Sequence, residues 1–119
     1  MLNLDTHIFV YALLGGLRPS EEELLNTNSW GISAIVFWEI AKLRQLGRLD
    51  IDLASSRFVL AVREVHVWPI TLEVANASTR LDVSSDPADE LIAATSLVHQ
   101  VPLLTRDSKL RASKIVPLA

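Results

Sequence analysis

The stretch MLNLDTHIFVYALLGG, residues 1–16, sets the pattern of the fold. Residues 1–4 form a short, mostly apolar run that ends at Asp5, and a second apolar run over residues 8–14 ends at Gly15. Short apolar runs bounded by turn residues are typical of buried strands, and an apolar run that stops at glycine is typical of a helix. We therefore predict a strand, a turn at Asp5 and a helix.

The same alternation of strand and helix continues along the chain. We predict further strands at residues 30–32, 65–68, 101–105 and 115–118. We predict helices that begin at Ser20, which forms a capping box with Glu23, at Ser33, at residue 52, after Thr71 (residues 72–81), at Asp86 and at Asp107. Strands that are apolar on both faces and alternate with helices indicate a parallel sheet between helical layers. We predict a three-layer α/β/α fold with a central parallel sheet of about five short strands, built as one domain over residues 1–119.

Composition excludes several classes of protein. The chain has 119 residues, of which 50% are hydrophobic, and no cysteine, so disulfide scaffolds and thiol chemistry are excluded. No basic leader precedes Asp5 and no apolar run approaches the ~18 residues of a membrane span, so we expect a cytoplasmic protein that does not bind membranes. The net charge is −3, from 11 Lys and Arg against 14 Asp and Glu, so any binding of nucleic acid must depend on local charge.

Four acidic residues lie at positions where a parallel α/β sheet binds ligands. Asp5 directly follows the first strand, and Asp107 lies two residues beyond the strand that ends near Thr105. Asp89 lies in the first turn of a helix, and Glu39 lies inside an apolar helix. Ligands bind outside the carboxyl ends of such strands. Carboxylates gathered there repel one another unless a cation lies among them, and oxygen ligands favour Mg²⁺ or Mn²⁺.

Each acid also has a structural interpretation that needs no ligand. These are helix capping by Asp5 and Asp86, interaction with a helix dipole by Asp89, a turn at Asp107 and a surface pair between Glu39 and Lys42. Other catalytic patterns are missing: the three histidines lack zinc-ligand spacing, and no phosphate-binding glycine loop or GxSxG motif occurs. The acids are therefore the candidates for chemistry.

Four segments carry these acids in order. They are Leu4-Asp5-Thr6-His7, Ser33-Ala34-Ile35-Val36-Phe37-Trp38-Glu39-Ile40, Asp86-Pro87-Ala88-Asp89 and Leu104-Thr105-Arg106-Asp107. Together they resemble the motifs of PIN-domain ribonucleases, and in particular of the VapC-type toxins of type II toxin–antitoxin systems. The resemblance covers nearly the whole chain.

The resemblance implies a metal-dependent endoribonuclease that uses Mg²⁺ or Mn²⁺. The family's catalytic and metal-binding acids correspond to Asp5, Glu39, Asp89 and Asp107. Accessory positions of the same pocket correspond to Asp86, Thr6 and Thr105. A water activated by the metal would leave a 5′-phosphate and would not need the 2′-hydroxyl of the substrate, so a preference for RNA must come from binding.

Basic residues flank the acids and are candidates for RNA binding. They are Arg106, Lys109 and Arg111 around the last acid, and Lys42 and Arg44 after Glu39. A solvated helix face is the structural alternative. The resemblance also implies a homodimer and a small antitoxin partner. One position departs from the family, because Glu90 stands where an arginine is common, which adds negative charge near the site.

Two other functions remain as alternatives. A phosphotransfer protein with a strand-end aspartate would need paired acids after the first strand, or a second aspartate where this chain has His7. A catalytically weak or inactive PIN-like module that binds RNA or protein would keep the fold without turnover. The four intact acids favour the nuclease over both.

Overall fold

Four short strands form one parallel sheet in this structure, a computed structural model that describes all 119 residues. The strands are β1 (Leu2–Leu4), β2 (Trp30–Ser33), β3 (His66–Trp68) and β4 (Leu103–Leu104). Their order in the sheet is β3-β2-β1-β4, and every neighbouring pair is parallel. Helices lie on both sides of the sheet, so the predicted α/β/α architecture is confirmed.

Seven helices connect the strands. They are α1 (Thr6–Leu14), α2 (Pro19–Thr27), α3 (Ile35–Gln45), α4 (Ser56–Arg63), α5 (Leu72–Ser78), α6 (Pro87–His99) and α7 (Ser108–Arg111). None of them is both long and apolar enough to cross a membrane. As predicted, α1 stops at a glycine: Gly15 has a φ of 96°, and its amide donates to the carbonyl of Tyr11.

The predicted fifth strand at residues 115–118 is wrong. This segment forms only an isolated bridge between Leu118 and Leu103. The hydroxyl of Ser113 accepts hydrogen bonds from the amides of Ile115 and Val116, so these amides are not available to a sheet partner. Pro117 has no amide hydrogen to donate. The segment therefore lies beside β4 without extending the ladder.

The start of α2 lies before the predicted position. Arg18, not Ser20, is the N-cap, and Pro19 occupies the first helical position, where its fixed φ suits the helix. The carboxylate of Glu21 accepts a hydrogen bond from the amide of Arg18 at 2.7 Å. The predicted pairing of Ser20 with Glu23 is therefore wrong.

Two other helices are shorter than predicted. The helix predicted from residue 52 begins only at Ser56, because the Asp52 side chain accepts from the amide of Ala54 and forms a turn first. Ser55 then caps α4 by accepting from the amide of Phe58. Helix α5 begins after the Thr71 cap, as predicted, but ends at Ser78 rather than residue 81.

One buried side chain fixes the position of α6 against the central strand. Asn3 in β1 is fully buried, and its Nδ2 donates to the carbonyl of Ile92 at 3.0 Å and to the hydroxyl of Ser96 at 2.9 Å. Asp5 lies two residues after Asn3, and Asp89 lies one turn before Ile92. The contact therefore holds these two acids at the same edge of the sheet.

The ring of Trp68 in β3 packs directly over Gly31 in the neighbouring strand β2. A Cβ at Gly31 in β2 would lie 2.4 Å from ring atoms of Trp68. We expect Gly31→Ala to lower the free energy of unfolding by about 1–3 kcal/mol, because overpacking forces the ring or the strand to move. Urea denaturation measures this loss.

Trp68→Leu supplies the control for that prediction. It removes the ring atoms that the new methyl group would meet, so the double variant should lose less stability than the two single variants added together. Strictly additive losses would contradict the proposed contact.

Candidate active site

A crevice of about 370 Å³ lies at the carboxyl edge of the sheet. Its lining side chains are Asp5, His7, Tyr11, Asp86, Asp89, Arg106 and Asp107. Four of the seven are aspartates, and they come from the ends of β1 and β4 and from the start of α6. The structure thus brings together the three aspartates predicted as catalytic, together with Asp86.

Asp5 is held on both of its carboxylate oxygens. One oxygen, Oδ1, accepts from the amide of Thr6 at 2.8 Å and caps α1, and Oδ2 accepts from the hydroxyl of Thr105 at 2.6 Å. Burial raises the pKa of the Asp5 carboxyl above its ordinary value, while these hydrogen bonds oppose the rise. Asp5 therefore both caps α1 and belongs to the candidate site.

Glu39 lies on α3 beside the crevice but does not line it. Its half-buried carboxylate accepts a hydrogen bond from the hydroxyl of Thr6, which is itself fully buried. Burial raises the pKa of Glu39, and the nearby charge of Asp5 raises it further. A surface pair with Lys42 does not form, because the amine of Lys42 donates to Gln45 instead.

Asp89 and Asp107 share a partner that the sequence did not single out. The hydroxyl oxygen of Ser85 lies 3.2 Å from Oδ2 of Asp89 and 3.2 Å from Oδ2 of Asp107. The other oxygen of Asp107 caps α7 by accepting from the amide of Lys109 at 2.8 Å. The available signal in the sequence was a serine four residues before Asp89, just ahead of the helix.

The surroundings of Asp89 strongly disfavour its charged form. Its pKa is raised from 3.8 to about 6, first by burial and then by the charges of Asp5 and Glu39. Repulsion from Asp107 raises the pKa of Asp89 further. Loss of hydration and the charges of three neighbouring acids therefore both disfavour the ionised form of Asp89.

Asp86 and Glu90 occupy different surroundings. Asp86 is the N-cap of α6 by position, as predicted, but its side chain makes no capping hydrogen bond and lines the crevice. The carboxylate of Glu90 accepts from the amide of Ser85 at 3.4 Å and lines a separate cavity beside the end of α5. Glu90 therefore does not place its charge among the lining groups of the acidic crevice.

Arg106 is the only cation that lines the crevice, and its charge is already paired. Its guanidinium donates to both carboxylate oxygens of Glu21, at 2.8 Å and 2.6 Å, and to the carbonyl of Gly16. It also lies 4.4 Å from the ring centroid of Tyr11. The hydrogen bond from Arg106 lowers the pKa of Glu21, so Glu21 remains ionised and holds the guanidinium at the rim.

The other predicted RNA-binding residues divide into two groups. Lys109 and Arg111 lie on α7 directly after Asp107, and Arg111 donates to the carbonyl of Thr105 at 3.3 Å. Lys42 and Arg44 lie on α3, and Arg44 pairs with Asp52 on the surface at 3.3 Å; none of these four cations lines the crevice itself. Only the first group lies beside the acids.

The donor set of the crevice suits a hard divalent cation. Its anionic groups are carboxylates, and oxygen ligands are those that Mg²⁺ and Mn²⁺ prefer. Burial raises the pKa of Asp5 and of Asp89, which shows that their ionised forms lack compensation, and the one arginine of the crevice is paired with Glu21. No three His, Asp or Glu side chains are arranged as a closed chelate. The site is therefore an acidic crevice whose ligands would draw closer around an ion.

The fold and the crevice define an α/β protein whose reactive edge carries clustered carboxylates. The chain matches the PIN domain over residues 3–115. It therefore belongs to the PIN-domain family, which confirms the family resemblance noted in the sequence.

Several known proteins are similar to this chain. Ribonuclease VapC22 of Mycobacterium tuberculosis is 26% identical over 118 residues, covering 93% of this chain and 90% of that protein. A toxin–antitoxin complex from Klebsiella pneumoniae has a TM-score of 0.75 and 22% identity, and the match covers 100% of this chain and 97% of that chain. VapBC2 from Rickettsia felis, bound to a promoter DNA fragment, has a TM-score of 0.73 and 20% identity, and the match covers 100% of this chain and 98% of that chain. The two structural likenesses show the fold.

Repulsion among the acids predicts that Asp89→Asn stabilises the metal-free protein. The raised pKa of Asp89, about 6, means that its ionised form destabilises the folded state at neutral pH. We expect a gain of about 1 kcal/mol at pH 8 in EDTA, a figure reduced for solvent screening of a half-exposed group. Chemical denaturation measures the gain.

The pH dependence and a control variant complete that test. As the pH falls from about 7 toward about 4, wild-type Asp89 takes up its proton in the folded state first, so the advantage of the variant should disappear. Asp50→Asn removes an exposed carboxylate outside the crevice and should not reproduce the gain. An equal gain from both variants would attribute the effect to net charge alone.

Proposed function

We propose that this protein is a metal-dependent endoribonuclease and the toxin of a toxin–antitoxin pair. The observation that carries the proposal is the convergence of Asp5, Asp89 and Asp107 in one crevice with Glu39 beside it, each within hydrogen-bond distance of a hydroxyl group. The similar proteins support it, since one is named a ribonuclease and others come from toxin–antitoxin complexes.

Three aspartates would hold the catalytic cation, Mg²⁺ or Mn²⁺. Asp5, Asp89 and Asp107 would supply its oxygen ligands, and Glu39 would hold a second ion or orient the attacking water. A bound cation stabilises charge that develops on the scissile phosphate and lowers the pKa of a coordinated water. Thr105 and Thr6 keep the carboxylates of Asp5 and Glu39 in place, which limits reorganisation during the reaction.

The phosphate backbone of RNA would approach the crevice from the side of α7. Without a cation the aspartates repel phosphate, so substrate and metal binding support each other. Lys109 and Arg111 lie on α7 beside Asp107 and offer positive charge to the phosphates that flank the cut. Arg106 contributes from the rim, where Glu21 and Tyr11 fix its orientation.

The partners follow from the same proposal. The substrate is RNA, and a small antitoxin protein binds the toxin and blocks the crevice. We also propose that the protein acts as a single domain, forms a homodimer and works in the cytoplasm. The alternative is an inactive PIN-like binding module, which the following experiment separates from the nuclease.

The proposed activity predicts cleavage of a structured RNA pool that requires both a divalent cation and Asp5. With Mn²⁺ or Mg²⁺ we expect products with 5′-phosphate ends, and no cleavage in EDTA. Asp5→Asn should lower the rate at least about 100-fold, because it removes a charged ligand while Asn can still cap α1. Gel electrophoresis and end-group analysis of the products measure the outcome.

Identical purification of wild type and Asp5→Asn controls for a contaminating nuclease. Cutting that is equal in the two preparations does not belong to this site. An absence of any metal-dependent difference across several RNAs would favour the inactive binding module.

Lys109 should contribute to RNA affinity through phosphate contact. In the Asp5→Asn background, Lys109→Ala should weaken single-stranded RNA binding and reduce the slope of log K against log salt by about 0.7. Lys42→Ala is the matched control, because Lys42 is equally an exposed lysine but lies on α3 rather than on α7. Fluorescence anisotropy at several salt concentrations measures both. Equal effects of the two substitutions would contradict a phosphate track along α7.

A further inference from the structure

Ser85 lies between two acids that belong to different elements of the fold. Its hydroxyl oxygen is 3.2 Å from Oδ2 of Asp89, on α6, and 3.2 Å from Oδ2 of Asp107, at the start of α7. Asp89 makes no other side-chain hydrogen bond in the structure, and neither does Oδ2 of Asp107. Ser85 is therefore the one hydrogen-bonded link between these two carboxylates.

The backbone around Ser85 is held in place from both sides. The amide of Ser85 donates to the carboxylate of Glu90 at 3.4 Å. Three residues earlier, the carboxylate of Asp82 accepts from the hydroxyl of Ser113 at 2.6 Å and from the amide of Lys114 at 2.7 Å. The loop between α5 and α6 is thus anchored to the segment after α7, which fixes the position of the Ser85 hydroxyl.

A single hydroxyl does not satisfy both carboxylates. A serine hydroxyl has one proton to donate, so at any moment it serves one acceptor while the second faces it without a hydrogen. A divalent cation held by Asp89 and Asp107 would satisfy both carboxylates. The hydroxyl thus holds the two oxygens toward the same point but cannot replace a cation there.

We propose that Ser85 is a positioning residue of the metal centre, which holds the Oδ2 atoms of Asp89 and Asp107 toward a shared cation. This inference rests on the proposed function. Without the hydroxyl, repulsion turns the Asp89 side chain away, and the cation must order it on binding. The substitution therefore acts on metal affinity, while the chemical step at saturating metal is preserved.

Titration with Mn²⁺ tests this role without any need for turnover. Isothermal titration calorimetry on the full chain should give Ser85→Ala about 10-fold weaker Mn²⁺ binding than wild type, in the range that outer ligand contacts contribute. Ser85→Thr keeps the hydroxyl and should bind within about threefold of wild type. Ser84→Ala is the matched control, since Ser84 is exposed and its side chain makes no hydrogen bond.

RNA cleavage as a function of Mn²⁺ concentration provides the second measurement. For Ser85→Ala the concentration that gives half-maximal rate should rise by about the same 10-fold factor, while the rate at saturating Mn²⁺ stays within about twofold of wild type. Circular dichroism before each titration checks that the variants are folded.

The possible failures are distinguishable. Wild-type protein that binds Mn²⁺, together with Ser85→Ala that binds it equally well, overturns the role of Ser85 and leaves the proposed function standing. A Ser85→Ala variant with normal affinity but a reduced saturating rate also overturns it, because the hydroxyl would then act on substrate. Wild-type protein that neither binds Mn²⁺ nor cleaves RNA overturns both proposals.

Discussion

Repulsion among carboxylates at one edge of the sheet is the constraint around which this molecule is organised. Burial and mutual charge raise the pKa values of Asp5, Glu39 and Asp89, so holding these groups together costs stability. Other contacts offset that cost. Asn3 fastens β1 to α6, and the N-termini of α1 and α6 direct their partial positive charge toward the acids. The fold therefore maintains a charged crevice that a cation would relieve.

Arg106 shows how the protein keeps positive charge at the crevice without neutralising it. A free arginine beside Asp107 would compete with a metal ion for the carboxylates. Glu21 instead takes both hydrogen bonds of a forked pair, and Tyr11 covers the guanidinium plane. Because Glu21 is buried in α2, this pair also fastens α2 to the rim of the site. The arginine remains near the path of a phosphate while the acids keep their charge.

Sequence reasoning succeeded where a residue's position follows from local structure. Asp5 and Asp107 follow strands, so parallel topology alone brought them to one edge, and their capping roles and site roles use different oxygens. It failed where long-range pairing decides the outcome. Glu21 pairs with Arg106, 85 residues away, and the prediction of a capping box at Ser20 gave Glu21 no such role. The prediction of a fifth strand was wrong because the Ser113 hydroxyl accepts hydrogen bonds from the amides of Ile115 and Val116, which the apolar pattern assigns to a sheet.

The choice of hydroxyl groups to hold the acids has a physical consequence. Thr105 holds Asp5, Thr6 holds Glu39, and Ser85 spans the remaining two acids. A lysine or arginine in these places would orient the carboxylates more strongly but would cancel the charge that attracts a cation. A neutral donor fixes direction and leaves the charge in place. The same pattern explains why Ser85 escaped detection: short hydroxyl residues near helix starts are common in sequences as caps, and only the folded chain shows which of them face carboxylates.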